Sequence, residues 1–519
     1  VNLGSYLSRS STFWPDQEAL VCEEQRWSYR ELEDSTNRLA SALLVRGVQP
    51  GQAVATFAGN CGQLVETEMA LCKGGFLRVP INSRLAAEEV EHILDYAAVQ
   101  VLFTDTAHAE VARRAVARAG ADCLVVDYDN TVEGVTHYSD LLAEGTASEP
   151  VAVDVSEDDP AVLNFTSGST GKLKAAVQTQ GNRLANMRKL LMTPGGGPST
   201  AERYLAAGPI THATGMGLLA SLSRGSTVVV LPKWDAELFL RTVEAERITT
   251  TFLVPTMLNM VLAHPSLAGH DLSSLTSVRV GGAPVSPQRL RQAVEAFGPV
   301  LMQGYGLGET TSGITVLTAE DVAAGITSDP DLLMSCGRPV FDTEVRVVDD
   351  SGKPVPAGSL GEIVARGPDC VRAYWKEPEL SAETFRDGWV HTGDIGYLRA
   401  DGYLFIVDRK KDMIISGGFN IYCSEVEAVL YEHPAVAEAC VVGVPDVQWG
   451  EAVKAVVVRR ESAALSEGEL IEFCAERLAR IKKPRSVDFV DELPVNRNGK
   501  TDRRAVRDPY WAGAIRKVH

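Results

Sequence analysis

The sequence predicts an α/β protein built from a large N-terminal domain of doubly wound sheets, residues 1–410, and a small α+β domain, residues 411–519. Two observations carry this. Between about residues 225 and 305, short apolar runs alternate with segments of helical period, the order that a parallel sheet requires. After residue 411 the pattern becomes helix, two strands, helix, strand, which is the order of a separate α+β unit. A chain of 519 residues is also too long for one ordinary domain.

In the first region, 228–231 reads as a strand, 236–246 repeats apolar residues at helical spacing, and 250–254 is again a strand. Residues 277–280 run into GGAP, Ser286-Pro287 opens a helix continuing to Ala296, and 300–302 returns as a strand. In such folds ligands sit in loops at the strand ends. In the second region 425–432 is helical, 437–444 and 453–458 are strands, and 487–490 is a strand. Between them Ser466-x-x-Glu469 forms a capping box that opens a helix to Ala479. The clearest loop is TPGGGPST at 193–200, and no repeat is visible.

The net charge of −18, 50 basic against 68 acidic residues, argues against a nucleic-acid surface and favours solubility. The longest uncharged stretch, 204–223, has the length of a membrane span but contains Pro209, His212 and three glycines, so a buried, loop-interrupted segment is expected. No charged-then-apolar leader is seen in VNLGSYLSRSSTFW, and nine scattered cysteines with no C-x-x-C pair read as reduced thiols in a cytoplasmic protein.

Residues 166–177, TSGSTGKLKAAV, raise the question of phosphate. In a Walker loop, consecutive backbone N–H groups cradle a phosphate and a lysine reaches it. That spacing fails here, because two residues separate Gly168 from Gly171 and Leu173 follows Lys172 where a hydroxyl is needed. A glycine-rich surface turn is the plain alternative. GYGLGE, at 304–309, likewise misses the dinucleotide fingerprint, since Glu309 stands where its last glycine belongs.

Three further stretches decide the context: QGYGLGETT (303–311), GWVHTGD (388–394) and DRKKDMIISGGFNIYCSEVE (408–427), followed by NRNGK (496–500). With TSGSTGK and WSYRELEDSTNRLASAL, they resemble, in order, the motifs of the adenylate-forming superfamily: acyl-CoA synthetases, peptide-synthetase adenylation domains and luciferases. The resemblance runs from about residue 13 to 504. It implies that Thr166, Ser167, Gly168, Ser169, Thr170, Gly171 and Lys174 hold the β- and γ-phosphates of ATP. Tyr305 stacks on adenine beside Gly281, Gly282 and Ala283, with Gly306 and Gly308 in the same turn, and Glu309 holds Mg2+. Asp394 and Arg409 contact the ribose, Lys411 is the hinge of a mobile small domain, and Lys500 reaches the α-phosphate and the substrate carboxylate. Gly417, Gly418 and Phe419 would line the path of CoA, and His212, in PITHATG, would border the acyl channel. Taken alone, Arg409-Lys410-Lys411 is a solvated charge run and His212 a packed core histidine.

The sequence also departs from the motifs it resembles. Leu173 replaces a proline and Ala175 a glycine in the phosphate loop, Cys423 replaces a proline, and Gly308 stands where a threonine would offer its hydroxyl to the α-phosphate. These changes gather on the elements that grip phosphate. The expectation is an acid–CoA ligase acting on a small carboxylic acid or its adenylate, with weak or lost adenylation from ATP and an intact thioester step. A fully competent ligase, a carrier-loading adenylation enzyme and an inactive binding relative are the alternatives, and a homodimer is compatible. The glycines at 304, 306 and 308 leave room for a bulky, non-amino acid.

Overall fold

The computed structural model describes residues 2–120, 122–147, 151, 153–167, 173–193, 199–417, 419–460, 465–495 and 501–512 of the 519. The chain divides into two compact units: 1–345 with 364–392 and 402–404, and 346–363 with 393–401 and 405–519. The second unit thus takes in 411–519 and adds segments that precede it in sequence.

Two largely parallel sheets organise the first unit. The larger runs Arg338–Pro339, Gly313–Leu317, Leu301–Gly306, Ser277–Gly281, Thr250–Leu253, Arg203–Ala206, Thr227–Val230, Glu18–Cys22, Gln25–Ser28. From Leu301–Gly306 to Glu18–Cys22 every pairing is parallel, and antiparallel strands close both edges. The second sheet runs Thr136–His137, Leu124–Asp127, Val101–Thr104, Ala53–Phe57, Leu77–Pro80, Pro160–Ser167, Leu173–Thr179, with only the last pair antiparallel. Its inner strands Ala53–Phe57 and Val101–Thr104 are buried along their whole length, as strands covered on both faces must be. This is the doubly wound arrangement expected of the sequence.

The predicted elements are found with small shifts. The helix after Ser286 spans Pro287–Phe297, with the Ser286 hydroxyl accepting from Arg289 N and proline in the first turn. The strand at 300–302 instead continues to Gly306, because Gly313–Leu317 folds back and extends its ladder. The helix after Ser466 ends at Ala475, not Ala479: the N–H groups of Arg477 and Leu478 both turn onto the Cys474 carbonyl and close it.

In the second unit the hairpin Val436–Asp446 and Gly450–Arg459 is joined by Ser486–Val490, Ile414–Ser416 and Phe419–Ile421. The helices Cys423–Glu432 and Glu467–Ala475 bury Val426, Leu430, Leu470 and Cys474 in the core with Val441, Ala455 and Val457 of the hairpin. In the first unit the short strand Phe385–Arg386 pairs antiparallel with Trp389 and Val390. The stretch 204–223 is a strand end, a tight turn and the buried helix Met216–Leu222, and no helix among the described residues is long and apolar enough to cross a membrane. None of the nine cysteines forms a disulfide.

Candidate active site

The phosphate-loop motif sits on the hairpin Pro160–Ser167 and Leu173–Thr179, at the carboxyl end of the first strand. Thr166 lies opposite Lys174 and Asn164 opposite Ala176, so these four side chains share one face of the ladder. Gly168, Ser169, Thr170 and Gly171 fall outside the described residues, as do Gly418 and Lys500. Along the outer edge of the hairpin, Trp375 N donates to Ala175 O (2.8 Å) and Val177 N to Ala373 O (3.1 Å). Those bonds hold Tyr374 beside Lys174.

Glu309 completes the cluster from a short turn, Gly308–Thr310, that follows the strand Leu301–Gly306. The Tyr374 hydroxyl donates to Glu309 Oε1 at 2.6 Å, Lys174 Nζ lies 3.3 Å from the same oxygen, and Lys174 Nζ also donates to the Tyr374 oxygen. Burial, and secondarily the Glu309 charge, drives the Tyr374 phenol far above its ordinary pKa, so it stays a donor. Tyr374 carried no signal in the sequence: it lies 200 residues from Lys174 and meets it only through the edge of the sheet.

The turn that presents Glu309 is strained and braced. Thr311 has φ +57°, unusual for a β-branched residue. Its hydroxyl donates to Asp369 O, and the Asp369 carboxylate is buried against Lys189, which also donates to Gly313 O (3.2 Å). A buried ion pair thus fixes both sides of the turn, the over-determination that a strained backbone requires. Burial raises the Asp369 pKa, against the opposing pull of Lys189.

Tyr305 and Gly282 stand at the carboxyl ends of neighbouring parallel strands, Gly281 pairing with Gly304, and Ala283 follows. Gly282 has φ +86°, which favours glycine, and a Cβ on Gly306 would strike Ser312 O at 2.0 Å. At Gly304 the nearest atom to a Cβ is 3.8 Å away, leaving room on that side.

His212 is held as a neutral ring. Asn82 Oδ1 accepts from Arg84 N (3.0 Å) in an Asx turn, which points its Nδ2 at His212 Nε2 (3.1 Å). His212 Nδ1 faces the Thr211 carbonyl at 2.8 Å, a group that only accepts. The proton therefore sits on Nδ1, and burial lowers the pKa further.

In the second unit Asp394 is buried, and Arg409 Nε lies 3.0 Å from its Oδ1. Lys410 N donates to Gly393 O (2.8 Å), and Lys410 Nζ pairs with Asp350 and Glu362, while Lys411 is exposed. The charge run thus separates into an ion-pairing arginine, a bracing lysine and an outward lysine. Gly417, at φ +58°, donates its N–H to Trp449 O and leaves no room for a Cβ against the indole, and Phe419 is exposed. Cys423, in the place of a proline, opens the helix Cys423–Glu432 and its thiol bonds to Asp412 O (3.1 Å), a tie that proline could not make.

A model of the AMP-binding enzyme family matches residues 7–375, and one of the AMP-binding enzyme C-terminal domain matches 425–500. A feruloyl-CoA synthase from Amycolatopsis is 39% identical over 507 residues, 97% of this chain and 98% of that protein. An o-succinylbenzoate CoA synthetase of Bacillus subtilis, solved with its acyl-adenylate, superposes with TM-score 0.82 at 30% identity, covering 97% of this chain and 98% of that one. An amide bond synthetase of Marinactinospora thermotolerans superposes with TM-score 0.88 at 32% identity, over 98% of this chain and 100% of the other. With family matches across both parts of the chain and full-length kinship to CoA ligases, the chain belongs to the AMP-binding, adenylate-forming enzymes, as an acid–thiol ligase of the acyl-CoA synthetase type.

Proposed function

We propose that the protein activates a bulky, non-amino carboxylic acid with ATP and transfers the acyl group to CoA. In the first step a carboxylate oxygen bonds to the α-phosphorus and pyrophosphate leaves. In the second the CoA sulfur bonds to the acyl carbon, AMP leaves with the bonding electrons, and the thiol proton passes to solvent. The observation that carries this reading is the Lys174, Tyr374 and Glu309 cluster on the TSGSTGK hairpin. Two anions must approach each other, so positioned positive charge and donors are the main catalytic need. Lys174 serves the β- and γ-phosphates, and the neutral His212 borders the acyl site without repelling or trapping the carboxylate. Asp394 and Arg409 serve the ribose.

Mg2+ usually takes one or two protein carboxylates and fills its other positions with water and phosphate. Glu309, a carboxylate held by Tyr374 and Lys174, fits that share. Bound there, the ion would neutralise phosphate charge. The hinge at Lys411, the rotation of the small domain and the roles of Gly417, Gly418, Phe419 and Lys500 belong to the same proposal. A second reading, that only the thioester step survives, rests on Gly308.

Both readings meet one experiment: ATP–pyrophosphate exchange with an acid panel including ferulate and o-succinylbenzoate, beside synthetic acyl-adenylates with CoA or an amine. Exchange at ordinary ligase rates favours the full reaction; thioester formation from adenylates alone favours the second. Amide but no thioester would overturn the choice of CoA. Lys500→Ala should suppress exchange and leave the adenylate-to-thioester step nearly unchanged, because mutant kinetics report only the step in which an interaction is made. Equal loss in both assays would remove that division of labour. Tyr374→Phe should lower exchange about tenfold, the rate equivalent of one ordinary hydrogen bond to a charged group, with little change in melting temperature. Undiminished exchange would reduce Tyr374 to packing.

A further inference from the structure

Gly308 is not merely a position without a hydroxyl. A Cβ placed on it would lie 2.9 Å from Asn164 Nδ2 and 3.2 Å from Thr166 Cγ2, so another side chain already occupies the space beside it. Asn164 comes from the strand Pro160–Ser167, two residues before Thr166 and on the same face. Its cross-strand neighbour Ala176 is small, and Ala176 bridges to Tyr374, which carries the Glu309 and Lys174 contacts. Two features mark this face as built for something polar. Thr166 Oγ1 is buried with no hydrogen-bond partner among the described residues, and the Asn164 side chain, partly buried, has none among them either. A buried hydroxyl without a partner beside a lysine and a carboxylate is costly unless a ligand uses it, and the Asn164 amide, still open to solvent, is placed to reach the same ligand.

We propose that the Asn164 amide is a phosphate-contacting donor of this enzyme, taking over from the residue at 308 and making Gly308 and Asn164 a coupled pair. An amide on a rigid strand offers two N–H donors where a hydroxyl offers one. Its placement requires glycine at 308, since any Cβ there displaces the amide. The departure that suggested weak adenylation is, on this geometry, half of an exchange. The proposal rests on the nucleotide-binding reading of the hairpin.

Its test is a double-mutant cycle on ATP–pyrophosphate exchange, with ATP affinity by calorimetry as a readout that needs no cognate acid. Asn164→Ala should lower exchange about tenfold to a hundredfold, the worth of one charge-assisted hydrogen bond. Gly308→Thr alone should not raise it, because the new side chain evicts the amide. Asn164→Ala with Gly308→Thr should recover most of the loss, the threonine entering the space that the alanine vacates. Asn164→Asp keeps the shape of the side chain but turns a donor towards an anion, and should weaken ATP binding more than Asn164→Ala does. Strictly additive effects of the two substitutions, or unchanged ATP affinity in Asn164→Asp, would overturn the proposal. If the unmutated protein binds ATP yet exchanges with no acid, the ligase reading fails, and the Asn164→Asp affinity still decides the contact.

Discussion

Asp394→Ala is expected to reduce both ATP-dependent adenylation and the conversion of preformed acyl-adenylate to thioester, each by on the order of a hundredfold or more. The carboxylate is 2% exposed and paired with Arg409 Nε at 3.0 Å, so it is rigid and already oriented. Two hydrogen bonds from ribose hydroxyls to a fixed carboxylate are worth about 1.5–3 kcal/mol each, and removing them leaves Arg409 without its counter-charge. The ribose is present in ATP and in the adenylate alike, so both half-reactions should suffer, in contrast to Lys500→Ala. Asp394→Asn keeps the shape and one acceptor and should lose less. The decisive measurement is acyl-adenylate affinity by calorimetry. Unaltered affinity in Asp394→Ala would take Asp394 out of the site.

Lys189→Met should destabilise the protein by about 3–5 kcal/mol, the usual cost of stripping one partner from a buried ion pair. Lys189 and Asp369 are almost wholly enclosed, and they brace the turn carrying Thr311 and Glu309. The loss should itself depend on pH. Burial already raises the Asp369 pKa, and without Lys189 opposing it the rise becomes larger. A carboxyl whose folded pKa lies above its unfolded value of about 3.9 keeps its proton longer in the native state. Stability of the variant should therefore fall as pH rises from about 4 towards neutrality. Denaturant titration at several pH values reads both effects. A pH-independent loss would mean that Asp369 has found another cation. The double replacement Lys189→Met with Asp369→Leu should regain much of the stability, since an apolar pair of similar volume is often no worse than the ions it replaces. It should not regain activity, because Thr311 and Glu309 lose the brace on their turn.

What the sequence determined by itself is everything that depends on local order. The alternation of periods over 225–305 gave parallel strands and covering helices within a few residues of the observed ones, because strand and helix periodicity are properties of neighbours along the chain. Capping at Ser286 and Ser466 placed two helix starts for the same reason. The order of the motifs pointed to the family, and Glu309, Lys174 and Asp394 were named from them. Tertiary structure decided the rest. That Tyr374 joins Lys174 to Glu309, that Asn82 fixes the His212 tautomer, that Lys189 and Asp369 hold a strained Thr311, and that Asn164 fills the space beside Gly308 are contacts between residues 58 to 200 positions apart for the first three, and across two sheets for the last. Such contacts follow from sheet register and edge pairing, which no local pattern specifies. A sequence can therefore show that position 308 has lost a hydroxyl, whereas only the packing of one strand against another turn reveals which side chain stands there instead.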